Sequence, residues 1–555
     1  MVTRADSPPA DPRPSGAEMT GVPAGGASDN AARHERRLDV AAVGIPTVLG
    51  AALCLYGITS RSLGFDEAAS ITIAAQHGGA LGSAIAHDGG NMSGYYVLLH
   101  ALIGLFGNGI LLVRLPSVVA LSATVAIVGL IGLRCFDRRV AFAAGLLSAV
   151  SLPLISWGQE ARGYAPMVAL TSASFLAFVS LVEPGREARD VSEPGGGSER
   201  RTRCWSWIGY VLFTTLAVYS SFVAVLVVPA QLLTLIWRRR AVRPVAWAMV
   251  VIAVCCAPLL ALALDRGSGQ LFWVPRPSLT GEKQVLEALT SSGLQPSFRP
   301  TSTTLVLLAL TVLALLAIAG TIARALWSGG AEGRGVWGRA LVLSWLAVPV
   351  ALAWLESLVG QPIFLPRNLL MAVPAVALLL ALGIAHRRMP AWLGWSLLSS
   401  LLVLRALQLG PSYGVSPEDW QGASSYVLAR AQPRDCVAFY PSDGRMAFQH
   451  YIGTSVAAAA RAPASVLPVV PWGEVRPYVE DYVGLSSSEL SRVGSGCRRL
   501  WFVYSHEGQL KGPFGSRTNY ARYLGLRSAL EREYPHHAMA SFGYASAVKV
   551  ELLTR

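Results

Sequence analysis

Two adjacent carboxylates, Asp66 and Glu67, stand in the stretch GFDEAAS, directly after the first long apolar run of the chain. Acidic residues are scarce in this protein, with 33 Asp and Glu among 555 residues. A carboxylate placed where a chain leaves a membrane can take the proton of a hydroxyl group that arrives from water. The alternative is a solvated helix N-terminus, where the helix dipole favours acidic side chains.

Further polar side chains stand in the connections between the later apolar runs. Arginine holds phosphate through two parallel hydrogen bonds, and a carboxylate or histidine can hold a divalent cation or orient a base. The candidates are His87, Asp88, Asn91, Tyr95 and Tyr96 in the first connection, Gln159, Glu160, Arg162 and Tyr164 in the second, Trp273 and Arg276 in the fourth, and Arg367 and Asn368 in the fifth. Together with an apolar groove, these residue types predict a lipid-phosphate substrate and a hydroxyl acceptor.

Each candidate also has an ordinary structural explanation when it is taken singly. Tyr95 and Tyr96 fit the aromatic belt of any membrane protein, and His87 near a loop end is typical of a surface or capping residue. Glu160 and Arg162 could form a local ion pair. The order of the candidates, their spacing and their common side of the membrane favour a joint site.

The elements that must position these residues are membrane spans. Apolar residues make up 53% of the chain and charged residues 14%, whereas soluble domains carry roughly 25% charged residues. The formal net charge is +13, but the arginines cluster in short connections between apolar runs, where they set topology. No basic stripe alternates with aromatic residues, so the sequence excludes a nucleic-acid partner.

The apolar runs predict about eleven spanning helices, each near the length that crosses a bilayer. They are 38–59, 112–133, 139–156, 164–182, 206–219, 222–237, 244–264, 302–323, 340–358, 368–385 and 391–408. The run 93–107 is too short to span, so it predicts a helix at the membrane surface within one long outer connection, 60–111. With a cytoplasmic N-terminus, the inner connections hold the larger share of Lys and Arg, which places Asp66 and Glu67 outside.

The chain divides into three predicted regions. Residues 1–37 are rich in Pro, Gly and Ala and predict a disordered cytoplasmic tail, and residues 38–408 form the membrane domain. Residues 409–555 predict a small outer α/β domain with strands in CVAFY (436–440), LWFVY (500–504) and SAVKVELL (546–553). Its two cysteines, Cys436 and Cys497, could form a disulfide outside the cytoplasm, and their spacing alone leaves the pairing open.

Four stretches resemble the GT-C superfamily of polytopic glycosyltransferases, in particular its bacterial protein O-mannosyltransferase-like branch, glycosyltransferase family 39. They are LGFDEAAS, HDGGNMSGYYVLLHALIGLFG with the span that follows it, LPLISWGQEARGYAPMVAL and FLPRNLLMAVPAVALLLALG. PEDWQGASSYVLAR (417–430) resembles the start of the family's outer C-terminal region. The chain departs from the family pattern at Met92-Ser93-Gly94, where a Pro pair is frequent, and at 219–222 (YSSF), where a His-Tyr pair is frequent.

The resemblance implies a helical GT-C fold in a bacterial plasma membrane and a polyprenyl-phosphate-linked monosaccharide as donor, with mannose as the first candidate. The acceptor would be a hydroxyl group of a glycan, glycolipid or protein outside the cell, attacked with inversion. Asp66 would be the general base, and Glu67 would tune or orient it. The donor and its phosphate would be bound by His87, Asn91, Tyr95, Tyr96, Gln159, Glu160, Arg162, Tyr164, Arg276 and Arg367.

Glu160 would either hold a divalent cation, Mg²⁺ or Mn²⁺, or hold an arginine. Two other function classes stay open: a transporter or flippase of lipid-linked sugars, and an inactive scaffold for cell-envelope assembly. A transporter would place functional charges near the middle of the bilayer, in repeated halves of the chain, which the sequence does not show. Replacing Asp66 with Asn separates the enzyme from both alternatives, because transport or scaffolding would tolerate the loss of a base.

Overall fold

A computed structural model of the chain describes residues 25–182, 197–267, 273–290, 334–386, 389–453, 456–472, 496–544 and 546–555, with single positions between these ranges. Residues from Ala42 to Arg555 form one compact unit, which contains every candidate residue. The helices are α1 Gly25–Leu55, α2 Phe65–Ala74, α3 Gly79–His87, α4 Ser93–Phe106, α5 Ile110–Cys135, α6 Arg138–Ala149, α7 Leu152–Gly158, α8 Tyr164–Val182, α9 Gly197–Ser220, α10 Val227–Leu233, α11 Val242–Arg266, α12 Leu279–Thr290, α13 Arg334–Val359, α14 Val373–Ile384, α15 Ala391–Ser412, α16 Trp420–Arg430, α17 Gly444–Ile452, α18 Val456–Arg461 and α19 Phe514–Glu533. Short 3-10 segments cover Phe222–Leu226, Thr234–Trp237, Arg239–Ala241 and Pro366–Ala372.

Seven described helices are long and apolar enough to cross a membrane. They are Arg33–Leu55, Ile110–Cys135, Tyr164–Val182, Val242–Arg266, Val336–Val359, Pro366–Ile384 and Ala391–Ser412. A bent pair, α6 and α7, makes eight if the two helices count as one span. The pair bends by 57° at Ser151, and Pro153 stands in the first turn of α7, where it is compatible with a new helix start. The polytopic helical fold is therefore confirmed.

The predicted number of eleven spans is not confirmed. The predicted span 206–219 is the end of α9, a helix that begins with the charged stretch GSERRTR, and 222–237 is a short composite of 3-10 and α segments. The predicted span 302–323 lies mostly outside the described residues. The last span continues to Ser412, beyond the predicted boundary at 408, because Leu409 packs in the core.

The predicted tail, 1–37, is corrected in part. Residues 1–24 lie outside the described residues, but α1 begins at Gly25, so the described part of the tail is helical. The segment AARHERRLD consists mainly of Ala, Arg, Glu and Leu, which are good helix formers, so local propensity continues the helix beyond its apolar part.

The long connection 60–111 folds into three helices, α2, α3 and α4. Helix α4 has 14 residues, too few to span, which agrees with the prediction for 93–107. Gly107 ends it at φ +88°, a conformation that glycine adopts without steric cost. The three helices carry the candidate residues of the first connection, so a folded subdomain rather than an open loop positions them.

The C-terminal region contains a five-stranded sheet of order β2-β1-β3-β5-β4, which confirms the predicted small C-terminal sheet. The strands are β1 Cys436–Tyr440, β2 Ala464–Leu467, β3 Arg499–Tyr504, β4 His536–Phe542 and β5 Val548–Thr554. Strand β1 pairs with β2 and β3 in parallel, and β5 pairs with β3 and β4 antiparallel. Cys436 and Cys497, left open by the sequence, form a disulfide bond.

Candidate active site

Glu67 lies in the protein interior, in the first turn of α2, and its carboxylate is fully used. The Nε and Nη2 atoms of Arg114 donate to its two oxygens at 2.9 and 2.7 Å, and the backbone N–H groups of Gly64 and Ala161 donate at 3.1 and 2.8 Å. Burial alone would raise the pKa of Glu67, but the Arg114 guanidinium and these donors hold that pKa below its usual value. This side chain fixes the position of α2 and has no surface left for a substrate.

Arg114, near the start of the predicted span 112–133, is the partner that sequence reasoning missed. Its Nη1 donates to the carbonyl groups of Ile58 and Arg61 at 2.6 and 3.1 Å, and its Nη2 to that of Ser62 at 3.1 Å. Arg114 thereby ties the chain before α2 to α5. The available signal was a single arginine within the apolar run ILLVRLPSVV, because a charge inside such a run requires a buried partner.

Asp66 points the other way, and its side chain is 45% exposed. Its Oδ2 lies 3.0 Å from Nη1 of Arg367 and 3.7 Å from Nη2 of Arg162. Arg162 also donates from Nη1 to the Asp66 carbonyl and to Ser70 Oγ, each at 3.1 Å. Loss of hydration within the fold would by itself raise the pKa of Asp66. The guanidinium groups of Arg162 and Arg367 outweigh this effect and lower the pKa to about 2.

Aromatic rings support the two arginines. The Arg367 guanidinium lies 4.9 Å from the ring centre of Trp273 and 5.7 Å from that of Tyr164, and Arg162 lies 6.0 Å from Tyr164. Trp157 meets Tyr164 edge-on at 4.6 Å. Cation–π contacts of this kind hold a guanidinium without consuming its N–H donors, which stay available for oxygen ligands.

Two other candidates brace the scaffold. Gln159 is buried, and its Nε2 donates to the carbonyl groups of Cys54 and Tyr56 at 2.9 and 2.7 Å, which satisfies the end of α1. Tyr95 is also buried, and its hydroxyl donates to the carbonyl of Val113 at 3.3 Å. Both side chains therefore hold backbone carbonyl groups in place.

The remaining candidates of the first connection lie around the end of α3. The buried Tyr96 donates its hydroxyl to Asp88 Oδ2 at 2.8 Å, and Asn91 Oδ1 accepts from the backbone N–H of Phe222 at 3.3 Å. His87 is exposed on the last turn of α3. The Asp66 carboxylate pairs instead with Arg162 and Arg367.

Arg276 does not join the cluster either. It is exposed, and its Nη1 donates to the carbonyl of Leu358, near the end of α13. Sequence reasoning grouped Arg276 with Arg162 and Arg367 because all three stand in connections predicted on one side of the membrane. The structure brings together only Arg162 and Arg367 at Asp66.

Glu160 faces Arg61, with 3.6 Å between Oε1 and Nη2. Burial raises the pKa of its carboxyl, and Arg61 acts against this rise. In the described part of the chain, no three His, Cys, Asp or Glu side chains come together as a metal site. The Arg61 neighbour matches the second role predicted for Glu160, the holding of an arginine, and the divalent cation stays a prediction.

The two segments that depart from the family pattern, 92–94 and 219–222, lie next to each other. A Cβ added to Gly94 would lie 3.1 Å from Cβ of Tyr219, and one added to Gly163 would lie 2.6 Å from the carbonyl oxygen of Ser220. Glycine at 163 is therefore required where the Arg162 segment approaches the end of α9, and Gly94 permits a tight approach of α4 to the same place.

The C-terminal domain closes over the segment that precedes α2. The hydroxyl of Tyr451 accepts from the backbone N–H of Leu63 at 2.8 Å, and Ser416 Oγ accepts from that of Ser62 at 2.8 Å. Glu418 Oε2 accepts from the backbone N–H of Phe65 at 2.7 Å. Sequence reasoning missed these residues because the contacts join positions more than 350 residues apart.

Residues 94–261 match the family model of dolichyl-phosphate-mannose-protein mannosyltransferases. No curated protein matches the chain by sequence. Two crystal structures of ArnT from Cupriavidus metallidurans, one bound to undecaprenyl phosphate and one without ligand, are similar to it with a TM-score of 0.52. They are 11% and 12% identical to it, covering 92% and 94% of this chain and 98% of ArnT.

The oligosaccharyltransferase of Archaeoglobus fulgidus in its apo form is similar with a TM-score of 0.50 and 13% identity, over 84% of this chain and 70% of that protein. At such identities the structural similarity shows the fold. Over residues 94–261 the chain is therefore similar to this mannosyltransferase family, and over most of its length it has the fold of these solved polytopic glycosyltransferases.

Proposed function

We propose that the protein transfers a monosaccharide from a polyprenyl-phosphate donor to a hydroxyl acceptor at the outer face of a bacterial plasma membrane. The observation that carries the proposal is the half-exposed Asp66 carboxylate held between Arg162 and Arg367. A carboxylate is the base that a hydroxyl acceptor requires, and two guanidinium groups are a receptor for the phosphate of the donor. The Nε of Arg162 is buried without a hydrogen-bond partner among the described residues, so this arginine retains a donor for a phosphate oxygen.

The two roles of the cluster are linked by charge. Without donor, Arg162 and Arg367 neutralise Asp66 and keep it a weak base, with a pKa of about 2. A bound phosphate competes for the same guanidinium groups. As their charge is shared with the phosphate, the pKa of Asp66 rises toward its ordinary value, and the carboxylate becomes a stronger base only when donor is present.

The transfer itself is a single displacement. The acceptor oxygen forms a bond to the anomeric carbon while the bond from that carbon to the phosphate oxygen breaks. The acceptor proton goes to Asp66, and the electron pair of the broken bond leaves with the polyprenyl phosphate. The configuration inverts, because Glu67 is occupied by Arg114 and cannot act as the second carboxylate of a double displacement.

The family model, named for dolichyl-phosphate-mannose donors, supports mannose as the first sugar to test. ArnT bound to undecaprenyl phosphate supports a polyprenyl carrier. Acceptors to test are glycans, glycolipids and protein hydroxyl groups of the cell envelope. We assign no step to a metal ion, because Arg162 and Arg367 already meet the phosphate charge.

The test uses the full-length protein in lipid nanodiscs with radiolabelled polyprenyl-phosphate mannose and an extract of envelope acceptors. We expect Asp66→Asn to lower transfer by at least about 100-fold, as removal of a general base does. Asp265→Asn, which changes an exposed carboxylate at the end of α11, is the matched control and should transfer like the wild type.

A parallel series with EDTA tests the divalent cation predicted at Glu160. Unchanged transfer agrees with phosphate binding by arginine, and a rate that collapses and returns with Mg²⁺ or Mn²⁺ would restore the cation. Equal transfer by wild type and Asp66→Asn would refute Asp66 as the base. If the wild type transfers no label from a panel of lipid-linked sugars, the enzyme assignment itself is wrong.

A further inference from the structure

A histidine of the C-terminal domain lies beside the start of α2. His506 follows strand β3, and its ring centre lies 5.1 Å from that of Phe65, the residue before Asp66. Its Nε2 lies 3.1 Å from Glu418 Oε1, and its Nδ1 lies 3.0 Å from Ser505 Oγ. The backbone of His506 has φ +54°, in the left-handed region that few residues other than glycine occupy. Strain of this kind persists where surrounding contacts impose it, and it is frequent at functional sites.

Glu418 connects this histidine to α2. While Oε1 faces His506, Oε2 accepts from the backbone N–H of Phe65 at 2.7 Å and from Trp420 Nε1 at 3.3 Å. Phe65 is the first residue of α2, and its N–H is one of the donors that a helix cannot satisfy itself. The preceding residue, Gly64, has no side chain that could cap the helix. Glu418 therefore caps α2 from another domain.

The carboxylate of Glu418 is itself held in place. Its backbone forms an isolated antiparallel bridge with Gly543, at the end of strand β4, and the next residue, Asp419, caps α16 by accepting from the backbone N–H of Gly422 at 2.8 Å. The cap on α2 is therefore anchored to two elements of the C-terminal domain. The first turn of α2, which carries Asp66, is thereby connected through Glu418 to these elements.

We propose that Glu418 and His506 form a positioning pair of the transfer site, in which the imidazolium holds the Glu418 carboxylate on the first turn of α2 and so fixes Asp66 toward the acceptor. This inference rests on the proposed function, because it assigns Asp66 the role of base. Neither residue touches the reacting atoms. The C-terminal domain thereby completes the site rather than merely covering it.

The charges around His506 give the pair a pH dependence. Glu418, Asp66 and Glu507 face the imidazole, and Glu507 is also paired with Lys549. Burial alone would lower the pKa of His506, but these acids, with Glu418 foremost, raise it above its usual value. The imidazolium–carboxylate pair is therefore complete below that raised pKa and loses its charge as the pH rises through it.

The test compares the wild type, Glu418→Ala, His506→Gln and, as matched control, His536→Gln, an exposed histidine on strand β4. Hydrogen exchange at the Phe65 amide measures how firmly Glu418 holds the first turn of α2. This measurement does not depend on transfer activity. We expect about tenfold faster exchange in Glu418→Ala, since a hydrogen bond to a charged acceptor is lost, and a smaller increase in His506→Gln. The control should exchange like the wild type.

Transfer rates between pH 6 and pH 9 measure how the Glu418–His506 pair affects catalysis. We expect kcat of the wild type to fall as His506 loses its proton, and His506→Gln to show a lower kcat without this fall, with an unchanged KM for the donor. Unchanged exchange at Phe65 in both variants, or a His506→Gln profile that follows the wild type, would overturn the proposal. If no protein transfers sugar, the proposed function fails, while the exchange data still decide whether the pair holds α2.

Discussion

Asp66 and Glu67 are neighbours in the chain, but their side chains enter opposite surroundings. Glu67 and Arg114 form a buried ion pair with every oxygen satisfied, whereas Asp66 opens toward solvent between two arginines. In the first turn of a helix, adjacent residues point about 100° apart, so one carboxylate faces the core when the other faces outward. The sequence shows both acids and does not show which of them is buried.

The buried Glu67–Arg114 pair predicts a loss of stability when its cation is removed. Replacing Arg114 with Met leaves the Glu67 charge buried and unpaired, which we expect to lower the free energy of unfolding by about 3–5 kcal/mol. Asp66→Asn, which changes an exposed carboxylate, should unfold within about 1 kcal/mol of the wild type. Thermal unfolding in detergent measures both variants. A wild-type transition in Arg114→Met would show that the pair does not hold α2.

The Asp66 carboxylate and the donor phosphate compete for Arg162 and Arg367, and this competition gives a second prediction about single residues. Asp66→Asn removes the internal anion that these arginines now contact, so undecaprenyl phosphate should bind more tightly to this variant, by about fivefold for an ion pair worth about 1 kcal/mol. Arg367→Ala should weaken binding instead. Titration of both variants in nanodiscs, with Arg532→Ala as a surface control, measures the affinities. Weaker binding by Asp66→Asn would show that carboxylate and phosphate do not compete.

Sequence reasoning reached Asp66, Arg162 and Arg367 because each stands beside an apolar run and belongs to a residue type with a clear chemical use. It could not reach the connection between Glu418 and Phe65, which joins positions 353 residues apart, because nothing local marks such a contact. It also grouped Arg276 with the site on topology alone. Predicted topology places a residue on one side of the membrane, and only packing decides its neighbours.

Among the elements, long and uniform patterns were predictable and short or mixed ones were not. Strands β1 and β3 have continuous apolar sequences and are buried, and the sequence predicts both. Strand β4, HHAMASF, is a mostly exposed edge strand with little apolar alternation, and it was missed. The helix pair α6–α7 was predicted as one span, because hydropathy does not register the 57° bend at Ser151.

The disulfide between Cys436 and Cys497 joins the start of β1 to the segment before β3 across 61 residues of chain. Closing a loop of this length restricts the unfolded chain and stabilises the domain by about 4 kcal/mol on the loop-entropy estimate. We expect Cys436→Ser with Cys497→Ser to lower the unfolding temperature of the C-terminal domain and to leave transfer intact below it. Cys204→Ser, at an exposed free cysteine, is the control. An unchanged unfolding temperature would contradict a structural role for the bond.

The whole molecule adds an argument about orientation that no single element provides. A disulfide persists in an oxidising compartment, so the Cys436–Cys497 bond favours a C-terminal domain outside the cytoplasm. The distribution of Lys and Arg among the connections, which is independent of the cysteines, favours the same side for this domain and for Asp66. Both arguments favour the outer side for the proposed acceptor, which is the side predicted for the C-terminal domain.

This orientation predicts which residues a membrane-impermeant maleimide reaches in intact cells. In a background with Cys204→Ser and Cys255→Ser, Lys511→Cys in the C-terminal domain should be labelled directly, because Lys511 is exposed and predicted outside. Arg139→Cys, at the exposed start of α6, should be labelled only after lysis. The reverse labelling pattern would mean that the protein has the opposite orientation in the membrane, with Asp66 in the cytoplasm. The hydroxyl acceptor would then have to be cytoplasmic, and the disulfide would stand in a reducing compartment, so one labelling experiment tests the orientation on which the proposed acceptor depends.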